Sequence, residues 1–255
     1  MSKYTVLITG ASGGIGSATA IRLGSEADRI GIVAIAMHYN SNHQLAEKVK
    51  AKIESESNPH IKIGIFQADL ALSEDIARLH KEVTDAFGTI DILFANAGTS
   101  AGKNIGPKGN IEDVSLEIFE ATWRVNALAS FQLTQLVVPS MARRSFGRVI
   151  YNSSVAALTG GVVGPHYASS KSALHGMLHF LAMRYAKDGV TFNAVAPALI
   201  EDTLLLPQGS GELKGRIPVG RLGKPDEVAS VVQVMIENGY ITNKVWAIDG
   251  GWHPS

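Results

Sequence analysis

Cysteine is absent from the 255-residue chain, which excludes disulfide bonds, thiolate nucleophiles and cysteine-ligated metal sites. Long apolar runs are absent as well, since no stretch approaches the eighteen consecutive apolar residues that a membrane-spanning helix needs. Neither sign of charge is in excess, because 23 basic residues balance 23 acidic ones. The composition therefore gives no reason to expect a nucleic-acid or membrane partner.

Metal binding by histidine is not indicated either, because the eight histidines are scattered and show no H-E-x-x-H spacing. A short apolar segment begins within three residues of the N-terminus, which leaves no room for the charged part of a signal peptide. A composition of 45% hydrophobic and 18% charged residues suits one globular domain over residues 1–255. We expect a soluble, cytoplasmic protein without a metal.

Short apolar segments alternate with amphipathic helical patterns along the chain. Strands are predicted at 4–9, 30–36, 61–68, 91–95, 147–152, 190–196 and 244–248. Helices are predicted at 14–25, 43–56, 73–87, 115–142 and 225–237, with a further helix starting near Tyr167. This alternation predicts an α/β fold, a doubly wound sheet of about seven parallel strands flanked by helices. Ligands of such sheets bind beyond the carboxyl ends of the strands.

A glycine-rich turn, residues 9–16 (TGASGGIG), separates the first predicted strand from the first predicted helix. In this setting a helix N-terminus can hold a pyrophosphate, and glycines let backbone N–H groups approach the phosphates. The spacing is neither the commoner G-x-G-x-x-G nor a P-loop, because no Gly-Lys-Ser/Thr follows. The turn predicts a dinucleotide site.

The turn after the second predicted strand carries no acidic residue, since none occurs between Arg29 and Gln44. An NAD site usually places a carboxylate there to hold the ribose 2′-hydroxyl. Asn40, Ser41 and Asn42 are candidate donors to a 2′-phosphate instead. NADP is therefore favoured, with NAD as the alternative, although the turn contains no Arg or Lys.

Tyr167 and Lys171 lie four residues apart in a helical pattern, so their side chains are neighbours on one helix face. A free phenol ionises near pKa 10, too high for proton transfer at neutral pH, and a nearby cation favours the phenolate. Lowering the pKa of the phenol to near 7 requires about 4 kcal/mol. The pair is a candidate proton-transfer unit, and a packed Tyr beside a surface Lys is the structural alternative.

Several separate motifs follow one another in a family's order, and on them the chain resembles the short-chain dehydrogenase/reductase family over essentially its whole length. The motifs are Thr9-Gly10-x-x-x-Gly14-x-Gly16, Asp69, Asn96-Ala97-Gly98, Asn126, Ser154, Tyr167-x-x-x-Lys171, Asn193-x-Val195-x-Pro197 and Asp249-Gly250-Gly251. Residues 217–229 (IPVGRLGKPDEVA) are similar to the 3-oxoacyl-acyl-carrier-protein reductase group of that family. The resemblance implies a single-domain, Rossmann-like fold.

The resemblance also implies a role for each site residue. Tyr167 would exchange a proton with a carbonyl oxygen, Ser154 would hydrogen-bond that oxygen, and Lys171 would lower the pKa of Tyr167 and bind the nicotinamide ribose. Asn126 would hold a water behind Lys171. The residues implied to bind the cofactor are Gly10, Ser12, Gly14, Ile15, Gly16, Asn40, Ser41, Asp69, Leu70, Asn96, Ala97, Gly98, Tyr167, Lys171, Pro197 and Thr203.

Four positions depart from the family pattern, and they bear on the cofactor subtype and on the substrate side. Gly13 stands where NADP-preferring members often carry Arg or Lys, and Ala198 replaces a usual Gly. Asp202 falls where a Thr is usual, with Thr203 one place later. Asn243 replaces a common Gly.

We therefore expect an NAD(P)-dependent oxidoreductase that interconverts a ketone and a secondary alcohol, with NADPH favoured and a 3-oxoacyl thioester as one candidate substrate. The alternatives are an NAD-dependent alcohol dehydrogenase of catabolism and a cofactor-binding regulator without catalysis. The substrate pocket is expected between residues 99–112, residues 155–165 and a flap at 198–218 with a short helix at 203–206. The resemblance implies a homotetramer or homodimer, formed through helix 115–142, the Tyr167 helix and the C-terminal strand.

Overall fold

The computed structural model describes residues 3–56, 60–203, 206, 214–215 and 217–253. The strands are β1 (Tyr4–Ile8), β2 (Ile32–Tyr39), β3 (Lys62–Gln67), β4 (Ile92–Ala95), β5 (Gly147–Asn152), β6 (Val190–Pro197) and β7 (Lys244–Ile248). They form one sheet in the order β3-β2-β1-β4-β5-β6-β7, and every neighbouring pair is parallel. The predicted doubly wound sheet of seven parallel strands is confirmed.

Helices connect the strands, as parallel neighbours require. They are α1 (Gly14–Ser25), α2 (Ala27–Ile30), α3 (His43–Glu56), α4 (Ser73–Phe87), α5 (Leu116–Trp123), α6 (Ala129–Arg143), α7 (Ala156–Thr159), α8 (Pro165–Tyr185) and α9 (Pro225–Glu237). Because all strands run in the same direction, their carboxyl ends lie at one edge of the sheet. The turns that leave this edge carry the motifs singled out in the sequence.

Both faces of the sheet are covered by helices, so the strands are apolar on both sides. On one face, Leu133 of α6 and Leu174 of α8 pack into a cluster with Leu7 of β1. On the other face, Leu23 of α1 and Val232 of α9 pack into a second cluster. All five side chains are buried, and each leucine contributes about 1.5–3 kcal/mol by its removal from water. The two clusters hold the strand ends in fixed relative positions.

Two local features differ from the sequence prediction. β2 begins at Ile32 rather than at residue 30, because Ala27–Ile30 forms a short helix that ends at Gly31 with a left-handed φ of 89°. The helix predicted at 115–142 contains a π-helical turn, Arg124–Leu128, between α5 and α6. Such a turn changes the backbone hydrogen-bond spacing, and the broad apolar stripe of this segment gives no sign of it.

About half of the predicted flap at 198–218, including residues 204–205 of its predicted short helix at 203–206, lies outside the described residues. Residues 198–203 are described and follow β6 directly. Within the described ranges, no helix is long and apolar enough to cross a membrane.

Candidate active site

The glycine-rich turn joins the end of β1 to the start of α1 at the carboxyl edge of the sheet. Gly10 has a φ of 63°, which favours glycine, and a Cβ there would lie 3.1 Å from the Cα of Ala97. A Cβ on Gly16 would overlap the carbonyl oxygen of Gly10, and one on Gly14 would lie 2.7 Å from the carbonyl oxygen of Asp202. The glycines therefore allow the close packing that presents the N-terminus of α1 to the space above the sheet edge.

His38, near the end of β2, accepts hydrogen bonds from two backbone N–H groups of this turn. Its Nδ1 accepts from Gly10 at 3.1 Å, and its carbonyl oxygen accepts from Ala11 at 2.9 Å. Its Nε2 lies 3.0 Å from the carbonyl oxygen of Ala68. Because a backbone N–H can only donate and a carbonyl can only accept, the proton of the neutral imidazole is on Nε2. Burial lowers the pKa of His38 to about 4, so the imidazole stays neutral at physiological pH.

A cleft of about 440 Å³ runs along the carboxyl edge from the glycine-rich turn to Tyr167. All the residues that the resemblance implies for cofactor binding line this cleft, with the exception of Gly16. Gly16 instead packs behind the turn, against Gly10, because α1 approaches the turn at this point. The structure also places His38 and Asn152 in the lining, where the sequence analysis assigned them no role.

The part of the cleft beyond β2 carries polar, uncharged side chains. Asn40 and Ser41 are exposed there, and the Oδ1 of Asn42 accepts a backbone N–H in the first turn of α3. Asp69, after β3, is the one acidic residue among the described lining residues, and Lys171 is the one Lys or Arg among them. A ribose at this end would meet amide and hydroxyl groups.

Asn96 and Asn152 connect the glycine-rich turn to the end of β5. The Nδ2 of Asn96 donates to the carbonyl oxygens of Thr9 at 2.9 Å and Gly10 at 3.2 Å. Its Oδ1 is left to accept from the Nδ2 of Asn152 at 2.8 Å. This network fixes the orientation of the Asn152 amide, whose own Oδ1 is buried and has no partner in the described part of the protein. Unsatisfied buried acceptors are rare and call for an explanation.

Asn126 lies in the π-helical turn, fully buried, and does not line the cleft. Its Oδ1 accepts from the N–H of Thr99 at 2.8 Å, and its Nδ2 donates to Thr99 O and Ser170 Oγ, both at 2.9 Å. A Cβ on Gly98 would lie 3.0 Å from the Nζ of Lys171 and 3.3 Å from the Oδ1 of Asn126. The structure thus brings Asn126 close to Lys171, with its amide already hydrogen-bonded.

Tyr167 and Lys171 lie in the first turns of α8, where Pro165 suits the first helical position and follows Gly164 at φ 145°. The two side chains are 7% and 2% exposed. The Nζ of Lys171 lies 5.8 Å from the centre of the Tyr167 ring and donates to the carbonyl oxygen of Asn152 at 2.6 Å. The helix therefore buries a phenol and an amine side by side.

Burial dominates the ionisation of both groups. It raises the pKa of Tyr167 to about 12, against a smaller lowering by the hydrogen bond with Ser154. It also lowers the pKa of Lys171 to about 8. The expected lowering of the Tyr167 pKa by Lys171 is not found, because the lowering comes from Ser154 and removal from water disfavours the phenolate more strongly. At pH 7 Tyr167 is a protonated phenol and Lys171 is mostly an ammonium.

A second cavity, of about 220 Å³, adjoins the cleft at Ser154 and Tyr167, which line both spaces. The Oγ of Ser154 accepts from the N–H of Ala156 at 3.1 Å, which holds the hydroxyl at this junction. Most of the wall is apolar. It includes Val155, Val162, Val163, Leu199, Ile200, Leu206 and Trp252.

The wall of this apolar cavity differs in part from the expected substrate pocket. Residues 155–163 and 198–203 contribute to it, as expected, but none of residues 99–112 does. That loop packs behind the wall, where Ile105 N–H donates to the carbonyl oxygen of Val163 at 2.9 Å. Trp252 and His253 of the C-terminal tail line the cavity, and no pattern in so short a tail indicates that it folds back.

The residues of the cleft fit a nicotinamide dinucleotide. The packed glycines leave backbone N–H groups and the N-terminus of α1 for phosphates. The unsatisfied Oδ1 of Asn152, beside the amine of Lys171, is an acceptor suited to a hydroxyl or amide of such a cofactor. Among the residues described here, no cluster of His, Asp and Glu could hold a metal ion.

Known proteins are similar to this chain in sequence and in fold. The family model described as short chain dehydrogenase matches residues 4–210. Acetoacetyl-CoA reductase of Allochromatium vinosum is 31% identical over 250 residues, 96% of each chain. The 3-oxoacyl-[acyl-carrier-protein] reductase FabG of Thermotoga maritima is 34% identical over 250 residues, again 96% of each chain. The crystal structure of levodione reductase aligns with a TM-score of 0.87 and 26% identity, over 97% of this chain and 96% of that one.

The family match covers most of the chain, including Gly10, Ser154, Tyr167 and Lys171. The similar proteins match it along almost their whole length. The chain belongs to the short-chain dehydrogenase/reductase family, resembles its 3-oxoacyl-acyl-carrier-protein reductase group, and is an NAD(P)-dependent oxidoreductase.

Proposed function

We propose that the protein reduces a ketone to a secondary alcohol with NADPH. The observation that carries this proposal is that Ser154 and Tyr167 line both the cleft and the apolar cavity. A cofactor in the cleft and a carbonyl group in the cavity would meet at these two hydroxyls, which supplies the proximity that the reaction needs.

The side chains at this junction are suited to stabilise the negative charge that would develop during reduction. The cofactor supplies hydride transfer, which is its own chemistry. Ser154 and Tyr167 would donate hydrogen bonds to the carbonyl oxygen, where negative charge develops during reduction. Tyr167, kept protonated by burial, would then give its proton to that oxygen. The ammonium of Lys171, 5.8 Å from the Tyr167 ring, would stabilise the phenolate that remains.

Asn126 contributes as a positioning residue in this proposal. Its amide holds both the backbone of Thr99 and the hydroxyl of Ser170, and so it ties the segment after β4 to α8. Ser170 precedes Lys171, and Gly98 precedes Thr99. Asn126 would therefore help to fix the position of Gly98 relative to Lys171, both of which line the cleft.

NADPH is proposed over NADH because Asn40, Ser41 and Asn42 offer amide and hydroxyl donors, and residues 38–42 contain no carboxylate to hold a ribose 2′-hydroxyl. No Arg or Lys lines this end in the described part of the cleft. The preference for NADPH should therefore be modest, about tenfold in Kd, which corresponds to about 1.4 kcal/mol. Tighter binding of NADH in a fluorescence titration would contradict this cofactor assignment.

Small ketones are the proposed substrates, with 3-oxoacyl thioesters among the first to test. Two of the similar proteins are named for acetoacetyl-CoA and for 3-oxoacyl-[acyl-carrier-protein]. The experiment measures kcat/KM for reduction between pH 6 and pH 10. The rate should decline as the pH rises through about 8, because Lys171 then loses its charge. A rate that rises through this range, or failure to bind either cofactor, would contradict the proposed function.

We propose that the protein forms homodimers or homotetramers. Phe180 and Met183 of α8 are 72% and 75% exposed, and Phe131 of α6 is also exposed. β7 is an edge strand that leaves Trp246 partly exposed. Light scattering should give a mass of two or four chains, and Phe180→Glu should reduce it. A monomeric wild-type protein would contradict the proposal.

A further inference from the structure

We infer that His253 is a specificity-determining residue that hydrogen-bonds a second, uncharged oxygen group of the substrate. The enzyme would then favour dicarbonyl and hydroxy-ketone substrates over simple ketones. This inference rests on the proposed reduction at Ser154 and Tyr167, and it concerns the C-terminal tail that lines the apolar cavity.

The tail is held in place by a defined set of hydrogen bonds. The carboxylate of Asp249 accepts from the N–H of Gly251 at 2.9 Å and from the N–H of His253 at 2.7 Å. The carbonyl oxygen of Gly250 accepts from the N–H of Val219 at 3.2 Å. The hydrogen bonds of Asp249 and the packing of the tail on residues 217–219 therefore fix the position of His253 in the cavity wall.

The imidazole of His253 makes no hydrogen bond in the described structure, unlike the two threonine hydroxyls of the cavity wall. The hydroxyls of Thr159 and Thr203 already donate to backbone carbonyls, at 2.9 and 2.8 Å. The Nδ1 of His253 is buried and has no partner in the described structure, where the backbone N–H is the group of this residue that is hydrogen-bonded. The Nε2 of the ring is neither buried nor hydrogen-bonded in the described structure, so it is the nitrogen that a substrate oxygen in the cavity could reach.

The charge of the wall restricts what this second group can be. No Lys, Arg, Asp or Glu occurs among the described lining residues of the cavity. A carboxylate or phosphate buried there would meet no Lys or Arg among these residues, which is unfavourable. An imidazole N–H can donate to a carbonyl, and an unprotonated ring nitrogen can accept from a hydroxyl, so either group suits His253.

The size of the cavity restricts the distance between the two oxygen groups. About 220 Å³ is below the roughly 300–1,000 Å³ of common ligand pockets. Both groups must therefore belong to a small molecule, or to the end of a longer one, with only a few bonds between them. The 3-oxoacyl thioesters proposed above meet this condition, because their thioester carbonyl lies two bonds from the reacting carbon.

The test compares two ketones that differ by one carbonyl, cyclohexane-1,4-dione and cyclohexanone. The ratio of their kcat/KM values is measured for the wild type, His253→Phe and His253→Gln. Comparing ratios between variants cancels the intrinsic reactivity of the two ketones. His253→Phe should lower the preference for the dione about tenfold, whereas His253→Gln, which keeps a donor and an acceptor, should retain most of it. Thr159→Val is the control and should leave the ratio unchanged.

Two outcomes would overturn the assignment. One is an unchanged ratio in His253→Phe with normal NADPH binding and thermal stability; the other is loss of the preference in Trp252→Phe instead, since the indole N–H also lines the cavity. If the wild type reduces neither ketone, the proposed reduction fails on these substrates. Stabilisation of the wild-type and His253→Phe proteins by the dione, measured as a shift in Tm with NADP present, then tests His253 separately, and equal shifts would overturn it.

Discussion

The nucleotide cleft and the apolar cavity share Ser154 and Tyr167, but they are built from different kinds of structure. The cleft is formed by strand ends and by short motifs whose backbone groups lie within a few residues of each other, as at Gly10 and Gly14. The described wall of the cavity comes from three segments far apart in the chain, residues 154–167, residues 198–203 with Leu206, and residues 252–253. A site for a common cofactor can rest on backbone geometry, whereas a site for a particular substrate depends on side chains.

Charge separates the two spaces as clearly as their construction does. The cleft lining contains Lys171 and Asp69, but the described lining of the cavity contains no Lys, Arg, Asp or Glu. In the proposed reaction the chemistry would be concentrated at the boundary between the two spaces, with the hydroxyls of Ser154 and Tyr167 toward the substrate and the ammonium of Lys171 behind them. Variants that act on one space and spare the other test whether this division is real.

Replacing Tyr167 by Phe should have the largest effect, because it removes the proton donor at the boundary itself. We expect kcat/KM for ketone reduction to fall about 10²–10⁴-fold, with the Kd for NADPH changed little. Stopped-flow turnover and fluorescence titration on one preparation would measure both quantities. Turnover at the wild-type rate would remove Tyr167 from the mechanism.

Gly16→Ala should damage the cleft and spare the cavity wall. The added Cβ overlaps the carbonyl oxygen of Gly10, so the turn must shift. We expect the Kd for NADPH to rise about thirtyfold, equivalent to about 2 kcal/mol. Gly13→Ala is the matched control, since its Cβ would meet no atom closer than 3.8 Å. Equal Kd values for the two variants would show that the turn has more freedom than its packing indicates.

Low pH should lower the free energy of unfolding, because unfolding allows His38 to take up a proton. Its folded pKa of about 4 lies below the usual 6.5, so the unfolded chain binds the proton more readily between these values. The stability that depends on neutral His38 is present above pH 6.5 and is lost as the pH falls toward 4. We expect about 2 kcal/mol of loss between pH 7.5 and pH 5, measured by urea unfolding. His38→Asn should flatten this dependence, and an identical pH profile in the variant would exclude His38 as its source.

Asp249→Ala should have the smallest effect and should act on the cavity alone. It removes the two acceptors that hold the tail, so His253 loses its fixed position. We expect KM for a diketone to rise about fivefold, equivalent to about 1 kcal/mol, with the Kd for NADPH unchanged. Asp226→Ala, at the start of α9, controls for loss of a surface carboxylate. Similar changes in both variants would point to a general effect of charge.

Local patterns predicted much of this molecule. The seven strands follow from short apolar segments, and the neighbouring positions of Tyr167 and Lys171 follow from the helical period of 3.6 residues; both patterns depend only on nearby chain. The residues predicted to bind the cofactor at the strand ends, such as Asp69 and Asn96, lie at one edge of the sheet because parallel strands place them there.

The features that sequence analysis missed depend on contacts between distant segments. The hydrogen bond between Gly10 and His38 joins residues 28 positions apart. The C-terminal tail at His253 lines the same cavity as Ser154, about a hundred residues earlier in the chain. The pKa of Tyr167 was expected to fall because of Lys171, but it rises because the whole fold buries the phenol. Neighbouring residues in a sequence do not reveal how much water a group loses.

The buried position of Lys171 also affects the heat resistance of the protein. In the described structure its ammonium hydrogen-bonds a carbonyl and has no carboxylate partner, and burial lowers its pKa from 10.5 to about 8. At pH 7 this favours the unfolded chain by about 3 kcal/mol, a penalty that disappears as the pH rises from 8 to 10.5. Lys171→Met should therefore melt at a higher temperature than the wild type while losing its activity. If Lys171 acts as proposed, the wild-type sequence loses thermal stability at the position where the reaction would use a cation.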